Sequence, residues 1–498
     1  MADNTPSQMH VTIPPLKGVV AQPWSLRKVA QMMGMFGPAA IVASCAIGAG
    51  ETIVVVRAGS WSGYDLMWLV LVSVLVKGVF VTYMIGRYTA VSGEHIGHRL
   101  VRLPGPRGWF LITIIILEML AAPLVWAVIS KPCGNLLFFL FKDLLPADGN
   151  PVIWERGIAT GFVTIALLTS LGITFKRLEL QQLIICAVLV IGTVIGTLMV
   201  RPDFLAALKG TLQIGYVPSE FPDWTPKATR ENAPLMLVTM FGYVGGTVMS
   251  YIVYANWIGL RRWGITSHED IEAIREHAAT RDRIDYLPDD PKQVKRLRKL
   301  MSPLRWDVTM GAVVLWVVTA AFMMAGAAVL YPMLRDGQIE GGFKNWDLLT
   351  SQAFIWKNIH PYLVWVYYVC VLAALWGTLQ ALPEIYSRVT HEFCQAISST
   401  RTWGFKTIQR VICVYMLIVT TWLVWSDIDF TTLTAIVAFL AANLAIVMMM
   451  IGALYLNYKL PCAYRTRWPM VTGAVASAII LAVVTAVSTW GLAMKLFG

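Results

Sequence analysis

Charge is what this 498-residue chain has least of: 14% of its residues are Asp, Glu, Lys or Arg, against 57% hydrophobic ones. Soluble domains carry roughly a quarter charged residues, so a water-facing surface is excluded for most of the chain. Cysteine is scarce too, at seven. An odd number, with Cys45, Cys186, Cys370 and Cys413 inside apolar runs, excludes a disulfide framework and a zinc module and leaves core packing. No nucleophile–base constellation or nucleotide-binding glycine motif is present, so catalysis of a covalent reaction and a bound cofactor are not expected. The first 32 residues carry Pro14-Pro15 and lack the apolar core of a signal peptide. The expectation is an uncleaved first span behind a mostly disordered tail (1–32), with a short amphipathic piece near Trp24-Ser25-Leu26.

What the chain does have is apolar runs of membrane-crossing length. They lie at about 33–60, 64–89, 108–130, 152–173, 181–200, 233–260, 307–333, 361–386, 408–426, 432–456 and 468–495. An all-α polytopic membrane protein with eleven spans follows. The net charge of +11 then does not point to nucleic acid, because the basic residues collect in alternate loops. Arg87, Arg99, Arg102 and Arg107 follow the second span, Lys176 and Arg177 the fourth. Arg261, Arg262, Arg275, Arg281, Arg283 and further basic residues to Arg305 follow the sixth. Arg388, Arg401 and Lys406 follow the eighth, and Lys459, Arg465 and Arg467 the tenth. The opposite loops hold Asp143, Asp148, Asp427 and Asp429. This bias predicts a multi-pass protein of a bacterial inner membrane, N-terminus cytoplasmic and C-terminus outside.

The longest loop, 261–306, reads as a cytoplasmic helical hairpin. Ser267 and Asp270 have capping-box spacing before Ile271, Ile274 and Ala278, and Pro291 opens a second helix through Leu300 with Val294 and Leu297 on one face. Its basic residues suit anionic lipid headgroups, so membrane lipids are the expected partners there, with a small cationic substrate elsewhere.

Two runs are interrupted. Gly48-Ala49-Gly50-Glu51 breaks the first span, and Gly242-Tyr243-Val244-Gly245-Gly246-Thr247-Val248-Met249-Ser250-Tyr251 breaks the sixth. Irregular backbone at membrane depth must be buried in protein or line a cavity, and an intramembrane carboxylate such as Glu51 marks a functional site. Paired broken helices in matching halves point to a transporter's substrate site. Spans one to five (33–200) and six to ten (233–456) then form a LeuT-like inverted repeat, since five spans per half force opposite orientations, and 457–498 adds span 11. Glu51 reads as a cation ligand or proton carrier and Met249 as a soft donor suited to transition metals, with glycine carbonyls facing the same ion. Lys77, buried in the second span, needs an acidic partner, and both Glu51 and Glu118 qualify. Arg57 is expected to snorkel to the outer surface.

At these breaks the chain resembles the Nramp (natural resistance-associated macrophage protein) family of divalent-metal transporters, most clearly in Gly37-Pro38, Ala58-Gly59 and Gly245-Gly246-Thr247-Val248-Met249. The resemblance implies a LeuT-like fold and a proton-coupled metal importer. The family's first-span motif, Asp-Pro-Gly-Asn, becomes Gly48, Ala49, Gly50 and Glu51 here, so the carboxylate moves about one helical turn. In the sixth span the resemblance puts the carbonyl-contributing small residue at Gly246 and the metal-binding methionine at Met249. Ser250 replaces the proline and Tyr251 the histidine implicated in proton movement, while Asn256 replaces a further histidine, so proton coupling is not expected. The site residues are therefore Gly48, Ala49, Gly50, Glu51, Gly246, Met249, Ser250 and Tyr251, with Lys77, Glu118 and Asn256 as charge partners or coupling groups. A divalent metal, held by Glu51 and Met249, would be the substrate rather than a cofactor. Two alternatives stand beside it. One is a small organic cation or zwitterion, its ammonium on Glu51 and on the ring faces of Tyr251, Tyr243 or Tyr254. The other is a non-transporting membrane sensor or scaffold.

Overall fold

The computed structural model describes residues 9, 11–48, 50–146, 149–338, 348–398 and 403–497. Ten helices among them are long and apolar enough to cross a membrane, and there are up to eleven spans if the bent pair Leu26–Met33 and Pro38–Ala46 is taken as one. Span 1 consists of Pro38–Ala46 and, after the interruption, Gly50–Val54 and Val55–Ser62. Spans 2 to 5 are Met67–Ser92, Trp109–Phe141, Pro151–Gly172 and Phe175–Val200. Span 6 is Ala233–Tyr243 followed by Val248–Leu260. Spans 7 to 11 begin at Ser302, Leu363, Phe405, Phe430 and Trp468. All-helical architecture is what lipid requires, because each helix satisfies its own backbone polar groups.

Burial separates the spans by role. Both halves of span 1 and the second half of span 6 are buried almost throughout, whereas span 5 exposes a row of Ile184, Ile191, Ile195 and Leu198. Exposed leucine and isoleucine on a spanning helix is a lipid-facing stripe. The broken helices are thus wrapped by intact ones.

Two short helices outside the spans were not anticipated: Phe204–Leu212 between spans 5 and 6, and Leu348–Ile359 between spans 7 and 8. Each is too short to cross a bilayer, and Asp203 caps the first by accepting from Leu205 N and Ala206 N.

From residue 11 on, the N-terminal stretch corrects the expectation of disorder, while 1–8 and 10 lie outside the described residues. Val11 and Ile13 are buried, and the chain there is held by Val11 N donating to Tyr286 O (3.1 Å) and Ile13 N to Gln293 Oε1 (2.9 Å). Arg296 returns a bond to Ile13 O at 3.1 Å. The amphipathic piece is real: Ser25 caps helix Leu26–Met33, and Trp24 stacks on Trp306 with ring centroids 6.3 Å apart. Low apolar content hid this segment because it packs through backbone hydrogen bonds to the hairpin rather than through a hydrophobic run.

The hairpin itself consists of Ile271–Thr280 and Pro291–Leu300, with Ile271, Ile274, Ala278, Val294, Leu297 and Leu300 buried. The capping box does not form, since the Ser267 hydroxyl donates to Gly264 O and Asp270 makes no side-chain cap. Asp290 caps the second helix instead. Basic side chains stitch the face together: Arg99 donates to Asp282 O (2.6 Å), Arg298 to Ala463 O (3.0 Å), and Tyr464 to Pro288 O (2.6 Å). The hairpin is therefore docked on the membrane domain.

Arg57 also departs from expectation. It is 6% exposed and lies over the rings of Trp61 (4.7 Å) and Phe430 (5.3 Å), beside a 400 Å³ cavity that Val54, Asn232 and Thr239 also line. Cation–π contact inside the bundle replaces the exit to the surface.

Candidate functional site

Glycine breaks a helix where backbone must approach backbone or where φ turns positive. Both causes operate here. A β-carbon on Gly50 would come within 3.0 Å of the Tyr243 carbonyl carbon, so the two breaks can touch only with glycine at that position. Gly245 has φ of +104°, and a β-carbon there would meet Tyr251 Oη at 2.7 Å and Lys77 Cε at 3.3 Å.

The break in span 6 leaves carbonyls at the end of Ala233–Tyr243 and amides at the start of Val248–Leu260. The rest of the bundle answers each end with matching charge. At the carbonyl end, Lys77 Nζ donates to Phe241 O (2.6 Å) and Gly242 O (2.8 Å), and Ser73 Oγ reaches Phe241 O (2.8 Å) and Val244 O (2.9 Å). At the amide end, Gly245 N donates to Glu51 Oε1 (3.0 Å), Gly246 N to Tyr251 Oη (3.0 Å), and Val248 N to Glu118 Oε1 (3.0 Å). An ammonium at a helix C-terminus and a carboxylate at an N-terminus both complement the helix dipole.

Lys77 therefore takes neither expected carboxylate as an ion-pair partner; its hydrogen bonds go to the two span 6 carbonyls. Both acids are fully buried, and the second oxygen of Glu51, Oε2, has no hydrogen-bond partner among the described residues. Such a group in a low-dielectric interior is unstable unless something polar or cationic joins it.

The break in span 1 is held differently. Gly48 O accepts from Thr52 N (3.1 Å) and Thr52 Oγ1 (2.7 Å), and Thr378 Oγ1 of span 8 reaches Cys45 O at 3.4 Å. The Gly48 carbonyl, expected to face an ion, is thus doubly engaged. Ala49 lies outside the described residues. Among the described residues no hydrogen bond to the carbonyls of Gly245 and Gly246 is found.

Between the breaks lies a cavity of about 50 Å³, walled by Gly48, Gly50, Gly245, Gly246, Thr247, Ser250 and Thr378. Gly48, Gly50, Gly246 and Ser250 are therefore brought together as expected. Glu51 stands one residue behind the wall, on the Gly245 amide. Met249 is fully buried but is not in the lining. Thr247 and Ser250, three residues apart on the helix, take the cavity face, so Met249 points away from it. Asn256 is also buried and absent from the lining.

Several polar residues at the site were not singled out from the sequence. Asp307 of span 7 accepts from Gly37 N and Ala39 N (2.9 Å each) and from Tyr254 Oη (3.0 Å), tying the entry of span 1 to span 6. Beside Gly37, Arg261 pairs with Glu179 of span 5. Gln182 accepts from Ser44 Oγ (2.6 Å) and donates to Gly377 O (2.9 Å), linking spans 1, 5 and 8. Their common signal was a lone polar residue within or at the edge of an apolar run. Among the described residues no group of three or more His, Cys, Asp or Glu side chains is placed to hold a metal ion.

Comparison with known proteins agrees with this architecture. The chain is 23% identical over 345 residues to a divalent metal cation transporter of Latilactobacillus sakei, covering 69% of this chain and 64% of that one. It is 25% identical over 297 residues to the corresponding protein of Chromohalobacter salexigens, covering 59% and 57% respectively. The match thus spans less than two thirds of these curated relatives' length. A histidine-to-alanine variant of the Eremococcus coleocola manganese transporter superposes with TM-score 0.65 at 13% identity, over 96% of this chain and 90% of that one. A nucleobase-cation-symport-1 family transporter superposes with TM-score 0.50 at 16% identity, over 93% of each chain. The structural likenesses share the LeuT-like fold. The model of natural resistance-associated macrophage protein-like chains, Nramp, matches residues 39–491, and the chain belongs to that family.

Proposed function

We propose that the chain is a secondary transporter that moves a divalent metal cation by alternating access, binding it between the breaks of spans 1 and 6. The observation that carries this reading is the 50 Å³ cavity enclosed by both breaks, with the unsatisfied Glu51 carboxylate directly behind its wall. That space can hold a small hydrated ion. The carbonyls of Gly245 and Gly246 and the hydroxyls of Thr247, Ser250 and Thr378 are hard donors. Met249 would join them only after span 6 rotates.

The bundle supports alternating access through polar ties that can open. Asp307 and the Arg261–Glu179 pair hold the entry of span 1 against spans 5, 6 and 7. Releasing them would open one path to the cavity. The face carrying the N-terminal segment and the hairpin is read as cytoplasmic, in a bacterial inner membrane, since it gathers Arg99, Arg102, Arg296 and Arg298. Anionic headgroups are the lipid partners proposed there. Tyr251 is engaged with Gly246 and cannot relay protons at neutral pH as an imidazole does, so transport is proposed to run without substrate-linked acidification.

Calorimetric titration with manganese and then magnesium tests the reading. Saturable binding that is lost in Glu51→Gln is expected. Absence of binding by either metal at millimolar concentration would remove the metal reading. Loss of manganese binding alone in Met249→Ala would bring the sulfur into the site despite its present orientation.

A further inference from the structure

Lys77 is fully buried at the middle of a membrane span, where a charge is tolerated only with compensation. Its compensation is unusual, because the groups it touches are carbonyls rather than a carboxylate. Nζ lies 2.6 Å from Phe241 O, 2.8 Å from Gly242 O and 5.1 Å from the Phe241 ring centre. The next turn of Ala233–Tyr243 is missing, so these oxygens are the negative end of a helix dipole with no continuing chain to neutralise it. Ser73, one turn earlier on span 2, supplies a hydroxyl to Phe241 O and Val244 O. Carbonyl oxygens, a hydroxyl and an aromatic face are the surroundings that proteins give a bound monovalent cation.

The backbone around Lys77 is adapted to this placement. Residues Val74–Val81 form a π-helical stretch, and Thr82 Oγ1 donates to Lys77 O at 2.9 Å. Such widened turns re-aim a side chain and recur at functional sites. The glycine at position 245 leaves room for the lysine stem, since a β-carbon there would stand 3.6 Å from Nζ and 3.3 Å from Cε. The charged and titratable groups facing this spot are Glu51 and Tyr251, on the far side of the Gly245 turn.

We infer that the Lys77 ammonium is a tethered cation: it occupies a carbonyl-lined monovalent-cation site at the broken end of span 6. With the cation covalently attached, this site needs no sodium or potassium from solution. The consequence for transport, independence from sodium, rests on the metal-transport reading above, whereas the site itself does not.

Thermal melting of the purified full-length protein tests it, at constant ionic strength made up with tetraethylammonium, which is too large to enter. Lys77→Ala, Lys77→Met and Lys77→Gln are expected to melt roughly 5 °C or more below the wild type, as removal of one member of a buried charged network does. Sodium or methylammonium is expected to restore most of the loss in Lys77→Ala. It should leave Lys77→Met, where the side chain fills the space, and the wild type unchanged. The inference is overturned if all three variants melt with the wild type, or if neither cation raises Lys77→Ala above Lys77→Met. Should Lys77→Ala fail to fold, Lys77→Gln decides: a midpoint equal to wild type means hydrogen bonding suffices and no cation is required, and a midpoint equal to Lys77→Met upholds the charge. If the pattern holds while the wild type binds no metal, the transport reading fails and the tethered cation stands.

Discussion

Spans 1 and 6 are broken at matching places, yet the two gaps are stabilised by different chemistry. The gap in span 1 is closed locally, by Thr52 on Gly48 O, with one hydroxyl from Thr378 on Cys45 O. The gap in span 6 is held from outside, by Lys77 and Ser73 of span 2, Glu51 of span 1 and Glu118 of span 3. A locally closed gap can travel with its own helix as a unit. One held by three other spans, span 1 among them through Glu51, is framed by its neighbours.

The comparison can be broken most severely at Glu51. Glu51→Gln keeps the size and one acceptor but removes the charge, and metal binding is expected to fall by at least about 100-fold, a loss of about 2.7 kcal/mol. Calorimetry on monodisperse variant protein reads this; unchanged affinity would move the site elsewhere. Gly245→Ala forces a β-carbon at positive φ towards Tyr251 and Lys77, and about 1–3 kcal/mol of stability should be lost, seen as a lower melting midpoint. Asp307→Asn weakens the tie between spans 1, 6 and 7 by about 1 kcal/mol. It should raise the labelling rate of the buried Cys45 by a thiol reagent severalfold, because the first half of span 1 swings out more often. The smallest effect belongs to the local gap. Thr378→Val removes a hydroxyl that reaches Cys45 O at 3.4 Å and Ala374 O of its own helix at 3.2 Å, and a change below about 0.5 kcal/mol is expected. A larger loss there would make span 8 part of the frame and weaken the contrast between the two gaps.

The ease of reading the two gaps from sequence follows the same division. Gly48, Gly50, Gly245 and Gly246 announced both breaks, because glycine in an apolar run is a local signal. What holds the breaks was partly legible. Lys77 and Glu118 stood out as charges in lipid-length helices, but Ser73, Thr378 and Gln182 look like ordinary polar residues until folding sets them against a broken backbone. Carbonyls as partners of Lys77 could not be foreseen, since a carbonyl has no letter in the sequence. The same holds for Val11 and Ile13, whose docking depends on Tyr286 and Gln293 some 275 or more positions later.

By itself, then, the sequence determined the membrane class, a run of ten to eleven spans, the positions of the two breaks and the basic face. Each of these depends on composition or pattern within a single segment, where the hydrophobic effect and backbone sterics act without distant help. Tertiary structure alone decided that Glu51 meets the Gly245 amide, that Lys77 seats on the Phe241 and Gly242 carbonyls, and that Met249 turns from the cavity. Those outcomes depend on the rotation of each helix about its axis. Rotation is set by the packing of many side chains from other spans, and no local segment encodes it.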